Sequence, residues 1–312
     1  MLKYIIILLD DSSISFCHYD NSNKPKLMSK EILRQGIFFA MKSNLRIQYV
    51  LPPYSLPQEY TELMGSMFHD TIGAMEQKEL ADVVIINDFW TVNKDLLDES
   101  QRYVIRTTIA DFLSNYNSLE SLIRKGVSFN VVFTDVEQFT DDKIKSYRST
   151  LSTIGTWVKE AILSGKNCNT NLITDRIALD AMNNCGAGDS SITLAPDGKF
   201  YPCPAFYYEK DSYAQMGDIE SGLTIKSAKL YTLEGAPLCK RCDAFHCKRC
   251  VWLNKKLTCE INTPSRQQCV MAHIERNAGR ELLMDFHKDN LLKEKKIKKL
   301  NYLDPFDVYQ NV

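Results

Sequence analysis

Eight of the ten cysteines fall between Cys185 and Cys269, whereas the first 167 residues of this 312-residue chain contain only Cys17. That asymmetry divides the chain into two chemically different parts before any strand or helix is assigned. The longest apolar run, residues 4–9, is closed by Asp10 and Asp11. It is far short of the ~18–20 residues of a membrane helix and lacks the longer core and cleavage site of a signal peptide. The chain therefore reads as cytoplasmic, and in a reduced compartment cysteines point to metal or catalysis before disulfides. With 38 basic and 39 acidic residues the formal net charge is -1. No whole-molecule field favours nucleic acid or an anionic membrane, so neither is expected as a partner.

The front part alternates. Apolar, β-rich runs at 3–9, 46–51, 82–86, 103–109, 128–133 and 172–174 read as buried parallel strands with helical patterns between them. Ser29 precedes Glu31 and an apolar series, Leu33, Ile37, Phe38 and Met41, which fits a capped crossover helix. The last helix is the clearest. Ile144, Tyr147, Leu151, Ile154, Val158 and Ile162 recur every three or four residues, with Asp141 and Asp142 at the start and Gly165 as the stop. About six such units predict a parallel sheet, either doubly wound or curved into a partial barrel. No glycine-rich phosphate loop, nucleophile elbow or His-x-x-x-His pair occurs, and no catalytic residue is assigned. Asp10, Asp11, Asp88, Asp111 and Asp135 follow strand ends, where ligand crevices form. Capping and turn formation are the commoner use of such aspartates. His18 and His69 stand alone and read as ordinary surface or core residues.

The rear part carries the chemistry. Cys185 leads to Pro196-Asp197-Gly198, a hairpin signal that folds the chain back and brings Cys203 towards Cys185. Cys239, Cys242, Cys247 and Cys250 form two C-x-x-C pairs four residues apart, and Cys259 and Cys269 follow. Such a loop aims two thiolates at one centre, so the four could clamp a zinc ion. That leaves the other cysteines unused, and a four-residue linker is short for a zinc ribbon. The interleaved alternative gives Cys239, Cys242, Cys247 and Cys269 to one iron–sulfur centre and Cys185, Cys203 and Cys250 to another. Its fourth position falls to Cys168 or Cys259, or stays open. Lys240, Arg241, Lys248, Arg249, Lys255 and Lys256 flank these ligands, where positive charge favours thiolates and offsets an anionic cluster. From residue 265 to about 300 the pattern is helical, with Ile274, Leu282, Leu283, Phe286 and Leu291 as its buried stripe. His273 and His287 lie along it with no special role expected, and the basic run at 293–299 reads as a solvated helix end.

In this order, Cys185, Pro196-Asp197-Gly198, Pro202-Cys203, Gly217-Asp218-Ile219, Cys239, Cys242, Cys247, Cys250 and Cys269 resemble a SPASM domain. This is the auxiliary-cluster extension of radical S-adenosylmethionine peptide-modifying enzymes. Through residues 242–254 and Asn262-Thr263-Pro264-Ser265 the chain is most similar to the CXXX-repeat peptide maturases. The resemblance implies an α/β fold with a degenerate radical-SAM-like (β/α) partial barrel over 1–178, a SPASM-type domain over 179–275 and a helical tail over 276–312. It implies two [4Fe-4S] clusters, with zinc as the alternative. Radical chemistry of that family needs a C-x-x-x-C-x-x-C triplet after the first strand, and here only Cys17 follows Leu9. S-adenosylmethionine is therefore not expected as a cofactor. The expectation is an auxiliary iron–sulfur protein in the maturation of a ribosomally synthesised, cysteine-containing precursor peptide. It would act beside an intact radical SAM maturase and not itself initiate radicals. The competing expectation is a zinc-stabilised adaptor that binds a peptide by adding it to a sheet edge.

Overall fold

The six-residue apolar run at the start becomes a buried strand, and the chain builds outward from it. The computed structural model describes residues 2–296. In chain order the regular elements are β1 (Tyr4–Leu8), α1 (Lys30–Lys42), β2 (Arg46–Val50), α2 (Gln58–Met64), β3 (His69–Ala74) and β4 (Val83–Ile86). They continue with β5 (Arg102–Thr107), α3 (Ile109–Asn115), α4 (Leu119–Lys125), β6 (Ser128–Phe133), α5 (Asp141–Leu163) and α6 (Thr174–Ala178). After these come β7 (Ser191–Leu194), β8 (Phe200–Tyr201), α7 (Pro204–Tyr208), β9 (Gly217–Asp218), β10 (Gly222–Leu223), α8 (Val251–Thr258) and α9 (Arg266–Lys288). Contacts group the chain into two units, Met1–Ile85 with Cys185–Gly235, and Ile86–Asn184 with Ala236–Val312.

In the first unit β1 pairs in parallel with β2 on one side and β7 on the other, in register Ile5↔Ile47 and Ile5↔Ile192. β3 and then β4 extend the sheet in parallel beyond β2, and β8 closes the other edge antiparallel to β7. Parallel strands are covered on both faces, which is why β1 and β4 are continuous apolar runs. Ser29 caps α1 by accepting from the Ile32 amide at 3.2 Å. The helix buries Leu33, Ile37 and Ala40 on Ile7, Leu194 and Phe200. Phe38 and Met41 do not join that face; they are 66% and 58% exposed. At Gly36 a Cβ would lie 2.5 Å from Leu194 Cδ2, so a larger residue there would displace the Leu194 side chain or the helix. The Asp197-Gly198 turn forms as its composition demands, with Gly198 at φ 79° and Asp197 accepting from the Lys199 amide at 3.1 Å.

In the second unit β5 and β6 run parallel, from Arg102↔Ser128 to Thr107↔Phe133, with α3 and α4 between them. Helix α5 buries Ile144, Tyr147, Leu151, Ile154 and Val158 and packs against α9. Residues 172–174, expected as a strand, instead form a turn into α6, because Thr174 caps back onto the Thr170 backbone at 2.7 Å. Helix α9 presses on that turn. A Cβ at Gly279 would sit 2.9 Å from the Ile173 carbonyl oxygen. The end of the 293–299 basic run and residues 301–312 lie outside the described residues. Among the described residues no helix is long and apolar enough to cross a membrane.

Candidate metal centre

Of the aspartates after strand ends, Asp10, Asp11, Asp111 and Asp135 prove to be local fasteners. Asp10 is fully buried; one carboxylate oxygen accepts from the Ser12 amide at 2.7 Å and the other from the Tyr54 hydroxyl at 2.7 Å. Asp11 accepts from Tyr207, which α7 holds over this loop, and Tyr208 stacks on Tyr19 at 5.4 Å. In the second unit Asp135 accepts from the Ile109 amide at 2.8 Å, and the Thr108 side chain caps α3 through the Asp111 amide at 3.1 Å.

The seven expected ligands are divided between the units. Cys185 and Cys203 belong to the first, in the loop before β7 and at the N-cap of α7. Burial lifts the Cys203 thiol above its ordinary range, and Cys185 and, more weakly, Cys17 add to this through like charge. Cys239, Cys242, Cys247, Cys250 and Cys269 belong to the second. Of the two suggested extra ligands, Cys168 is a core thiol that donates to the Val127 carbonyl at 3.3 Å and is pushed up to about 12 by burial. Cys259 is exposed and ends α8 in the left-handed region, φ 64°.

Local chemistry shapes the second-unit loop. Cys239–Arg241 is a single 3-10 turn, closed by the Cys242 amide on the Cys239 carbonyl at 3.1 Å. The Cys242 sulfur accepts the Ala244 amide at 3.4 Å, and the Cys250 sulfur caps α8 by accepting the Leu253 amide at 3.4 Å. These amide-to-sulfur contacts are the geometry that C-x-x-C loops offer a metal-bound thiolate. Burial pushes Cys239 up to about 11 and Cys247 up to about 12, and each feels the other cysteine sulfurs; Arg249 pulls Cys239 the opposite way. Asn254, fully buried, donates to the Ile261 carbonyl at 3.0 Å and accepts from Gln268 at 3.0 Å. Gln268 also closes the Ser265 capping box at the head of α9. The residues Asn254 and Ser265 thus set where Cys269 is presented.

Charge around this loop is unusual for an interior. Arg176, Arg249 and Arg276 are each no more than 2% exposed. Arg276 bonds Asp243 at 2.9 Å, Arg280 bonds the same carboxylate, and Arg176 lies over the Phe245 ring at 4.5 Å. Burial holds Arg176 down to about 10, with Asp243 and Cys242 pulling upward and Arg280 and Arg276 downward. Arg249 adopts φ 45° between Cys247 and Cys250 and donates to Asn184 at 3.3 Å. Two histidines also enter. His246 meets Glu275 at 3.0 Å, and Glu275 accepts from buried Tyr147 at 2.6 Å. His273, for which no role was expected, is buried with its Nε2 3.7 Å from the Cys242 sulfur. The Cys269–His273 spacing of four, one helical turn, is the sequence signal that would have found it.

Among the described residues no three histidine, cysteine or carboxylate side chains are arranged to hold an ion as they stand. What the fold supplies is the donor set and its surroundings. Four soft sulfurs on one loop and one helix, among buried guanidiniums, suit a dianionic thiolate centre of iron–sulfur or zinc type.

No family model matches the chain, and no curated protein does. Solved structures do. The chain is similar to hexahistidine-tagged anSMEcpe with bound AdoMet, an anaerobic sulfatase-maturating enzyme, at TM-score 0.61 and 12% identity over 92% of this chain and 99% of that one. It matches native anSMEcpe with bound AdoMet and the Cp18Cys peptide at TM-score 0.60, with the same identity and coverage. Streptococcus suis SuiB bound to precursor peptide SuiA matches more loosely, at TM-score 0.43 and 11% identity over 75% of this chain and 66% of that one. At such identities the likeness is one of fold. The chain has a mixed α/β, radical-SAM-like architecture built on a parallel sheet, as the resemblance implied.

Proposed function

We propose that the chain is an auxiliary iron–sulfur protein in the maturation of a cysteine-containing, ribosomally made peptide. It works beside an intact radical SAM maturase and does not start radicals itself. The observation that carries this reading is the set of three buried guanidiniums around the loop at 239–250. Asp243 already pairs with Arg276 and Arg280, and a thiolate-held cluster would add further anionic charge beside Arg176 and Arg249. Cys239, Cys242, Cys247 and Cys269 would hold it, supplying one-electron redox chemistry. Cys185 and Cys203, both in the first unit, would supply thiolates to the other proposed centre. The chain's own residues then do three things. Ala244 and Leu253 amides donate to the sulfurs, Asn254 and Gln268 fix the cysteine of α9, and the guanidiniums keep the anion stable away from water.

The loop after β1 is different. Its residues Asp10, Ser12 and Ser13 bond one another and Tyr54, and Cys17 is its one cysteine. That donor set does not fit a three-thiolate cluster chelating S-adenosylmethionine. The peptide part of the proposal draws support from the same-fold enzyme solved with a peptide bound.

Iron, sulfide and zinc in anaerobically reconstituted protein test the reading. Two four-iron clusters give about eight irons per chain. Stoichiometric zinc without iron would favour the adaptor instead, and unaided formation of 5′-deoxyadenosine would refute the auxiliary role.

A further inference from the structure

We infer that His273 tunes the second-unit centre by donating its Nε2 hydrogen to the Cys242 sulfur. This rests on the iron–sulfur reading above and adds to it a residue outside the cysteine set. The two atoms are 3.7 Å apart, the range of a hydrogen bond to sulfur. The ring is buried, so water does not compete for either partner. Its placement follows from the helix. Cys269 and His273 are four apart on α9 and share a face, so the turn that presents the Cys269 thiol also carries the imidazole to the neighbouring ligand. The Ala244 amide already reaches the same sulfur at 3.4 Å. A second donor concentrates positive potential on one ligand of the four.

The consequence is directional. A hydrogen bond to a ligand sulfur stabilises the more negative, reduced cluster over the oxidised one and raises its reduction potential. The separation also constrains the role. Two ligands of one tetrahedral ion lie about this far apart, given bonds of roughly 2.3 and 2.0 Å. On the iron–sulfur reading Cys242 is the ligand, and the imidazole is a donor to its sulfur and a positioning residue.

The test is redox titration of the anaerobically reconstituted full chain, following visible and electron paramagnetic resonance spectra. The variants are His273→Leu, which removes the donor, and His273→Gln, which keeps an N–H at similar reach. In His273→Leu the ratio of reduced to oxidised second-unit cluster at a fixed poise should fall about tenfold, ~59 mV for a one-electron couple, with iron content unchanged. His273→Gln should recover most of that ratio. An unchanged potential in His273→Leu would overturn the inference, as would His273→Gln behaving like His273→Leu. Loss of the cluster in His273→Leu while Cys269→Ala retains it would also overturn it, by making the imidazole a ligand. If wild-type protein takes up no iron, the iron–sulfur reading itself fails, a result separate from all of these.

Discussion

Replacing Arg176 with methionine should have opposite effects on the metal-free and the loaded protein. Arg176 is 1% exposed, and burial holds it down to about 10 from an ordinary value of 12.5. A tenfold change in proton affinity is about 1.4 kcal/mol, so keeping this charge inside costs on the order of 3 kcal/mol when no cluster is present. The substitution also forfeits the contact with the Phe245 ring, 4.5 Å from the guanidinium, at about 1–2 kcal/mol. Methionine fills nearly the same volume and leaves little cavity. The metal-free protein should therefore gain about 1–2 kcal/mol, read as a higher urea midpoint at unchanged slope. In the loaded protein the same guanidinium neutralises part of a dianion, and its removal should speed iron loss to a chelator. Equal destabilisation of both forms would show that Arg176 is an ordinary packing residue, and the charge argument for an anionic centre would fall with it.

Three other outcomes follow from the same geometry. Asn254→Ala strands the Ile261 carbonyl and the Gln268 amide; it should destabilise the protein by about 1–3 kcal/mol in urea and reduce iron uptake. Cys168→Ala should leave iron and sulfide content unchanged, because that thiol donates to Val127 in the core; loss of a cluster would restore it as a ligand. Because Cys239 and Cys247 are pushed up to about 11 and 12, the folded metal-free chain keeps protons that the unfolded chain loses near pH 9. Its stability should be full below about pH 8.5 and decline as pH rises towards 11–12, measured by thermal unfolding across that range. The loaded protein, its thiolates already ionised, should lack this decline.

The parts of the fold legible in the sequence are those written in local pattern. The α5 periodicity, the Ser29 cap and the Asp197-Gly198 turn all appear where their chemistry predicts. Strand β3 went unseen because its first half, His69-Asp70, is polar and Gly73 interrupts its apolar end. Phe38 and Met41 match helical spacing loosely, yet Gly36 and Ala40 supply the buried face, because close approach to β7 favours small residues. The pairing of β7 with β1 joins residues far apart in sequence, and periodicity carries no trace of it. At the centre, the cysteine order was readable and its neighbours were not. Arg176 and His273 reach the loop from α6 and α9, through tertiary packing alone.

Helix α9 bears Cys269, His273, Glu275, Arg276 and Arg280 on successive turns, and just past its end Asp289 grips Lys159 of α5 at 2.6 Å. With a rise of 1.5 Å per residue it is a rod of about 34 Å. A displacement of the helix as a whole at the thiol end is carried along the same axis to the Lys159–Asp289 clasp. Amide exchange around that distant clasp should then act as a gauge of whether the sulfurs are occupied.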